Sequence, residues 1–78
     1  MATKCSLADL QKSLGHQIQV LRKVKKMSQR GLAEKAGIHF TYVGKIEHGE
    51  TNMSLETLKG IVDALSVKMS DLFERVEG

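Results

Sequence analysis

The stretch Gln29–Gly49, QRGLAEKAGIHFTYVGKIEHG, decides the fold. It reads as two short helices with a turn between them. The first is predicted over about Gln29–Lys35, opened by Ser28 as N-cap, because a serine oxygen accepts a first-turn N–H that has no partner inside the helix. Gly37 sits just past its end, where a left-handed residue costs least without a Cβ. The second helix is predicted over about Phe40–His48, and Gly49 ends it the same way. Leu32, Ala33, Ala36, Ile38, Val43 and Ile46 all point to one side of the pair. Ala33 is small enough to let the second helix cross closely over the first. Val43 and Ile46 are the second helix's only large aliphatic residues, and their spacing places them on one face.

The outer face of that second helix is then left to solvent. It carries His39, Phe40, Thr41, Gly44, Lys45 and His48. A short helix with a thin apolar stripe behind and donors, a cation and a glycine in front suits the major groove of DNA. This is the helix-turn-helix arrangement.

The run Ile18–Phe73 resembles the lambda-repressor/Cro class of helix-turn-helix domains, the XRE family. The resemblance rests on Ile18, Leu21 and Arg22; Ser28-Gln29; Leu32-Ala33; Ala36-Gly37-Ile38; Tyr42-Val43; Ile46-Glu47; Gly49; and Ser54-Leu55-Glu56-Thr57-Leu58. Leu65, Val67 and the closing Ser70-Asp71-Leu72-Phe73 complete it. Each match is weak alone, and the whole register in order is strong. Stand-alone members of the class include restriction–modification controller proteins and small phage repressors.

The resemblance implies a compact five-helix bundle, and composition agrees with its all-α class. The chain has 78 residues, 41% of them hydrophobic, and no proline. That suffices for one domain with a modest core, and at this size dimerisation would help stability. Residues 1–5 are expected to form a flexible N-terminus, and residues 6–78 a single helix-turn-helix domain with a C-terminal dimerisation helix. The net charge of +3 fits a nucleic-acid partner without requiring one. Cys5 is the only cysteine, so no internal disulfide forms and a reducing cytoplasm is expected. No segment reads as a membrane span or signal peptide, and no ligand-binding or catalytic second domain is expected at this length.

Helix 1 is predicted from Ser6, capped with Asp9, to about Lys26. Leu7, Leu10, Leu14, Ile18 and Leu21 form its apolar stripe, widened by Val20 and Val24. Helix 4 follows Ser54 and buries Leu55, Leu58, Ile61, Val62 and Leu65. Ser66 takes a turn where the family often has glycine. Ser70 is expected to cap a short helix 5. Gly15, Gly31 and Gly60 interrupt helices, each at a cost of about 1 kcal/mol relative to alanine.

The resemblance assigns roles. His39, Phe40, Thr41 and Lys45 match base-facing positions, with Lys45 suited to guanine O6 or N7 and Phe40 and the Thr41 methyl to a thymine methyl. Gln29 and Tyr42 match phosphate-contacting positions, and His48, Asn52 and Lys26 are expected to join them. A Tyr42 ring packed on the core rim is the alternative. Arg22 and Glu47 are expected to form a structural, partly buried ion pair. Leu65, Val67, Met69, Leu72, Phe73 and Val76 exceed what one small core can bury and are expected at a dimer interface, the alternative being that they close the monomer core.

Metal and catalytic readings find no support in the sequence. His16, His39 and His48 lack ligand spacing, and no nucleophile–base set or phosphate loop is present. No cofactor and no small-molecule ligand are expected. The expected function is that of a cytoplasmic, dimeric transcriptional regulator on a pseudo-palindromic operator in double-stranded DNA, with RNA polymerase as a further partner if it activates. The rival is a protein-interaction module, such as an antitoxin or bridging factor, that keeps the helix-turn-helix as scaffold.

Overall fold

Three serines start three of the helices. Ser6 Oγ accepts from the Asp9 N–H at 3.1 Å, Ser28 Oγ from Gly31 at 2.9 Å and Ser54 Oγ from Thr57 at 3.0 Å. Each fills a donor that helix geometry leaves unpaired. They open α1 (Leu7–Val24), α2 (Gln29–Ala36) and α4 (Leu55–Leu65), and α3 (Phe40–Glu47) and α5 (Met69–Glu77) complete the set. The structure is a computed structural model that describes residues 6–77. The expected flexible terminus Met1–Cys5, with its cysteine, lies outside the described residues. Among the described residues the architecture is all-α with five helices, as the sequence leads one to expect.

The core draws on every helix. Leu14, Ile18 and Leu21 of α1 meet Leu32 and Ala33 of α2, Val43 and Ile46 of α3, Leu58, Ile61, Val62 and Leu65 of α4, and Leu72 of α5. α2 packs on α3 and α4, while α1 packs on α3 and α5. α3 is therefore held between α1 and α2, and its own two aliphatic residues anchor it.

Two glycines set how closely the helices approach. A Cβ on Gly15 would lie 2.0 Å from the Ile46 carbonyl oxygen and 3.0 Å from that of Glu47. The absent side chain lets α1 cross the C-terminal end of α3 backbone to backbone. Gly49 ends α3 with φ +71°, and a Cβ there would lie 2.8 Å from Lys12 Cα. Conformation and space both exclude a side chain at that position.

Several boundaries and faces differ from the sequence expectation. α1 ends at Val24, not Lys26, because Lys26 turns left-handed with φ 59°. Leu7, Val24 and Leu55, expected on buried stripes, are 65%, 67% and 73% exposed. All three lie at helix ends, Leu7 and Leu55 each as a first residue and Val24 as a last. There the stripe runs on past the helices that cover it. Leu65 and Leu72, expected at a dimer interface, are fully enclosed in the monomer core. Val67, Met69, Phe73 and Val76 keep part of their surface. α5 starts at Met69, so Ser70 lies inside its first turn and is not the cap.

Ser66 ends α4 in the left-handed region, φ 59° and ψ 40°. That conformation costs an L-residue about 1–2 kcal/mol and glycine little. Ser66→Gly is expected to raise the unfolding free energy by up to about 1 kcal/mol, after the extra freedom glycine gives the unfolded chain. A urea midpoint that falls would show that the serine side chain contributes more than its backbone costs.

Candidate nucleic-acid interface

A buried ion pair fixes the far end of α3. Glu47, the last residue of that helix, has a fully buried side chain. Arg22 Nε donates to Glu47 Oε2 at 2.6 Å and Nη2 to Oε1 at 3.1 Å, the two-point fit of a guanidinium to a carboxylate. Arg22 Nη1 donates to the Met27 carbonyl at 2.8 Å. The pair thus joins α1, the turn before α2 and α3.

Gln29 belongs to the same network. Its Nε2 donates to Glu47 Oε1 at 3.1 Å, reaching from the first turn of α2 to the end of α3. Gly44 lies beside it, and a Cβ there would touch the Gln29 amide at an ordinary 3.8 Å. One amide hydrogen is therefore committed inward. The second, and the free N–H groups of the α2 N-terminus, remain for an anion.

The start of α3 is organised by His39. Its Nδ1 accepts from the Thr41 N–H at 3.2 Å and lies 2.6 Å from Thr41 Oγ1. A ring nitrogen that accepts from a backbone N–H carries no proton, so the Thr41 hydroxyl donates to it as well. The sequence placed His39 among the base-reading residues, and the structure makes its Nδ1 the N-cap of α3. Its Nε2–H still points away as a donor. The Thr41 residue as a whole is exposed.

Lys45 is exposed, and among the described residues it enters no ion pair. Phe40 differs from expectation. Its ring is half-buried against the core, stacked on His39 with centroids 4.8 Å apart, and covered by the Arg30 guanidinium at 3.9 Å. Little of its face is left for a thymine methyl.

The loop after α3 is tied on both sides. Tyr42 Oη donates to the Asn52 carbonyl at 2.9 Å, and Gln11 Nε2 donates to Asn52 Oδ1. A phenol has one donor, so Tyr42 as placed holds the loop and has none left for a phosphate. Asn52 keeps its amide N–H groups. His48 Nδ1 donates to the Gly44 carbonyl at 2.7 Å, which leaves Nε2 outward. Lys26 stands exposed in the turn before α2. Among the described residues no group of histidine, cysteine, aspartate and glutamate could hold a metal, and no helix is long and apolar enough to cross a membrane.

The helix-turn-helix family HTH_3 matches residues 18–72, which takes in all of α2, α3 and α4. The chain belongs to this helix-turn-helix family. It is a DNA-binding regulator and not an enzyme. It is 34% identical over 67 residues to the control protein C.SmaI of Serratia marcescens, covering 86% of this chain and 80% of that protein. It is 38% identical over 58 residues to the immunity repressor protein of Bacillus phage phi105, covering 74% of this chain and 40% of that one. The crystal structure of the restriction-modification controller protein C.AhdI from Aeromonas hydrophila superposes with a TM-score of 0.80 at 36% identity, covering 85% of this chain and 98% of that chain.

Within this helix-turn-helix frame, sequence reading missed two things at the site. The first is Arg30, read only as exposed, whose guanidinium lies across the first residue of α3. Helical spacing gives no signal for it, because the contact crosses from one helix to the next. The second is the capping role of His39. Histidine is not among the favoured cap residues, so only its position before a helix start hinted at it.

Proposed function

We propose that the chain acts as a homodimer that binds a pseudo-palindromic operator in double-stranded DNA and regulates transcription from it, as a controller protein or small repressor. One observation carries the reading. Val43, Ile46 and Glu47 are buried on one side of α3, while Thr41 and Lys45 stand exposed on the other. Such a helix can enter a major groove without disturbing what holds it. Gln29, Asn52 and Lys26 surround it with free donors for backbone phosphates, and the outward Nε2 of His48 adds one only in the doubly protonated ring.

Binding to duplexes selected from a random pool tests this. Affinity is expected to fall linearly in log[salt], as counterions leave each neutralised phosphate. Lys45→Ala is expected to cost about 1–3 kcal/mol on the selected sequence and to relax preference at one position. Weak, sequence-blind association would favour the interaction-module reading instead.

Dimerisation has an apolar surface to use. Exposed Leu7 and Leu55 border a groove with Leu10, Met53, Leu58 and Phe73, between the starts of α1 and α4 and the face of α5. Phe73 is the residue this surface shares with the interface expected from sequence. A two-fold pair of recognition helices about 34 Å apart would meet successive major grooves. Leu55→Glu is expected to shift sedimentation to the monomer and leave the helical content intact, since Leu55 contributes nothing to the core. An unchanged dimer would put the interface elsewhere. RNA polymerase becomes a partner if the regulator activates, and the cytoplasm is the compartment in which operator DNA is met.

A further inference from the structure

The Arg30–Phe40–His39 stack is not explained by core packing or by phosphate binding. Phe40 is the first residue of α3, at the end of the recognition helix that approaches base edges most closely. A phenyl ring offers a base no hydrogen bond. The Arg30 guanidinium lies over it, 3.9 Å from its centroid, and the His39 ring stacks with it at an interplanar angle of 27°. Cation–π contact uses the flat face of a guanidinium and leaves its N–H edges free. Among the described residues Arg30 is in no ion pair.

Building on the operator-binding reading above, we propose that Arg30 is a guanine-reading residue, presented to the major groove by the Phe40 ring. A guanidinium edge matches guanine O6 and N7 as a two-point contact. Stacking on Phe40 fixes the plane of that edge before DNA arrives, which lowers the entropy lost on binding. The surroundings favour a base over a phosphate. Glu34 lines the same shallow depression with Arg30, Ala33 and Phe40, and its carboxylate would repel a phosphate there. Lys45, further along α3, then reads a different base pair from Arg30.

The test uses the full chain on a selected operator and on duplexes in which each base pair is changed in turn. Arg30→Ala is expected to lose about tenfold to a hundredfold on the operator, the worth of a two-point contact. It should lose discrimination at one G·C pair in each half-site. Arg30→Lys, which keeps the charge but not the stacked fork, should retain affinity for unrelated duplexes and keep only part of that discrimination, since an ammonium reaches guanine O6 or N7 without a fixed two-point edge. Phe40→Leu should relax that position too, although Arg30 is still present. Replacing the guanine with 7-deazaguanine should weaken the native chain and leave Arg30→Ala unaffected. Circular dichroism checks that each variant folds. Equal weakening on every duplex with a shallower salt slope would make Arg30 a phosphate contact and overturn the proposal. Discrimination left intact at every position in Arg30→Ala would also overturn it, with the operator-binding reading untouched. A native chain that prefers no duplex overturns both.

Discussion

Glu47→Ala is expected to remove a large share of the stability of the domain. The side chain is fully buried and accepts three hydrogen bonds, two from Arg22 and one from Gln29. Truncating it strands a buried guanidinium, and breaking such a pair from one side costs about 3–5 kcal/mol. A 78-residue domain has about 4–12 kcal/mol in total, from the usual 0.05–0.15 per residue. The variant should unfold at a much lower urea concentration and lose DNA binding with the fold. The pair need not be a net stabiliser for this to hold, because the penalty comes from the partner left behind. Arg22→Met combined with Glu47→Leu should recover part of the loss. The recovery is incomplete, since the Met27 carbonyl and the Gln29 amide lose their partners. A double variant no more stable than Glu47→Ala would place the cost in packing and not in the uncompensated charge.

Gly15→Ala should destabilise the domain by several kcal/mol, against the direction that helix propensity gives. Glycine to alanine inside an exposed helix usually gains about 1 kcal/mol. At Gly15 the new methyl would sit 2.0 Å from the Ile46 carbonyl oxygen, and that atom belongs to backbone. It has no rotamer to escape into, so α1 and the end of α3 must separate. Overpacking of this kind typically costs 1–3 kcal/mol, and more where backbone has to move. The separation would also pull on Glu47, whose own carbonyl lies 3.0 Å from the same methyl. Gly31 supplies the control. A Cβ there meets only Ser28 Oγ, at 3.3 Å, and that capping oxygen has to give by a few tenths of an ångström while it keeps its bond from the Gly31 N–H. Gly31→Ala should therefore gain only part of the 0.5–1 kcal/mol that propensity alone implies, about 0.5 kcal/mol. Thermal unfolding of the two variants side by side checks the pair of signs. If both moved the same way, close approach at Gly15 would not be what limits the packing.

The features legible in the sequence are those set by residues near one another in the chain. Ser6, Ser28 and Ser54 cap where their spacing says they should, and Gly37 and Gly49 take the left-handed positions that end α2 and α3. Val43 and Ile46 turn inward as the helical period requires. The Arg22–Glu47 pair came from the resemblance, and the structure forms it with both groups buried. What escaped was set across the fold. Nothing beside Gly15 or Gly60 in the chain says that a carbonyl of another helix will press on it. Leu55 and Leu7 continue their apolar stripes in sequence, but no neighbouring helix extends far enough to cover them. Leu65 and Leu72 looked surplus to a small core, yet α4 and α5 turn them fully into it.

The site divides in the same way. Which side of α3 faces out followed from its thin stripe. How each polar group is already engaged did not, because the answer lies in contacts to α1, α2 and the loop before α4. Gln29 leans on Glu47, Tyr42 holds Asn52, and His39 spends one nitrogen on Thr41. These are positioning contacts made before DNA arrives, and they reduce the donors free for phosphate while fixing the direction of those that remain.

The most direct measurement is a backbone amide chemical-shift titration of the full chain with a selected operator duplex. The largest changes are expected at Gln29–Arg30 and His39–Lys45, with α5 and the Leu55 side little affected at constant dimer population. Changes confined to the Leu7, Leu55 and Phe73 surface, with Thr41 and Lys45 silent, would contradict the reading of α3 as the helix that enters the groove.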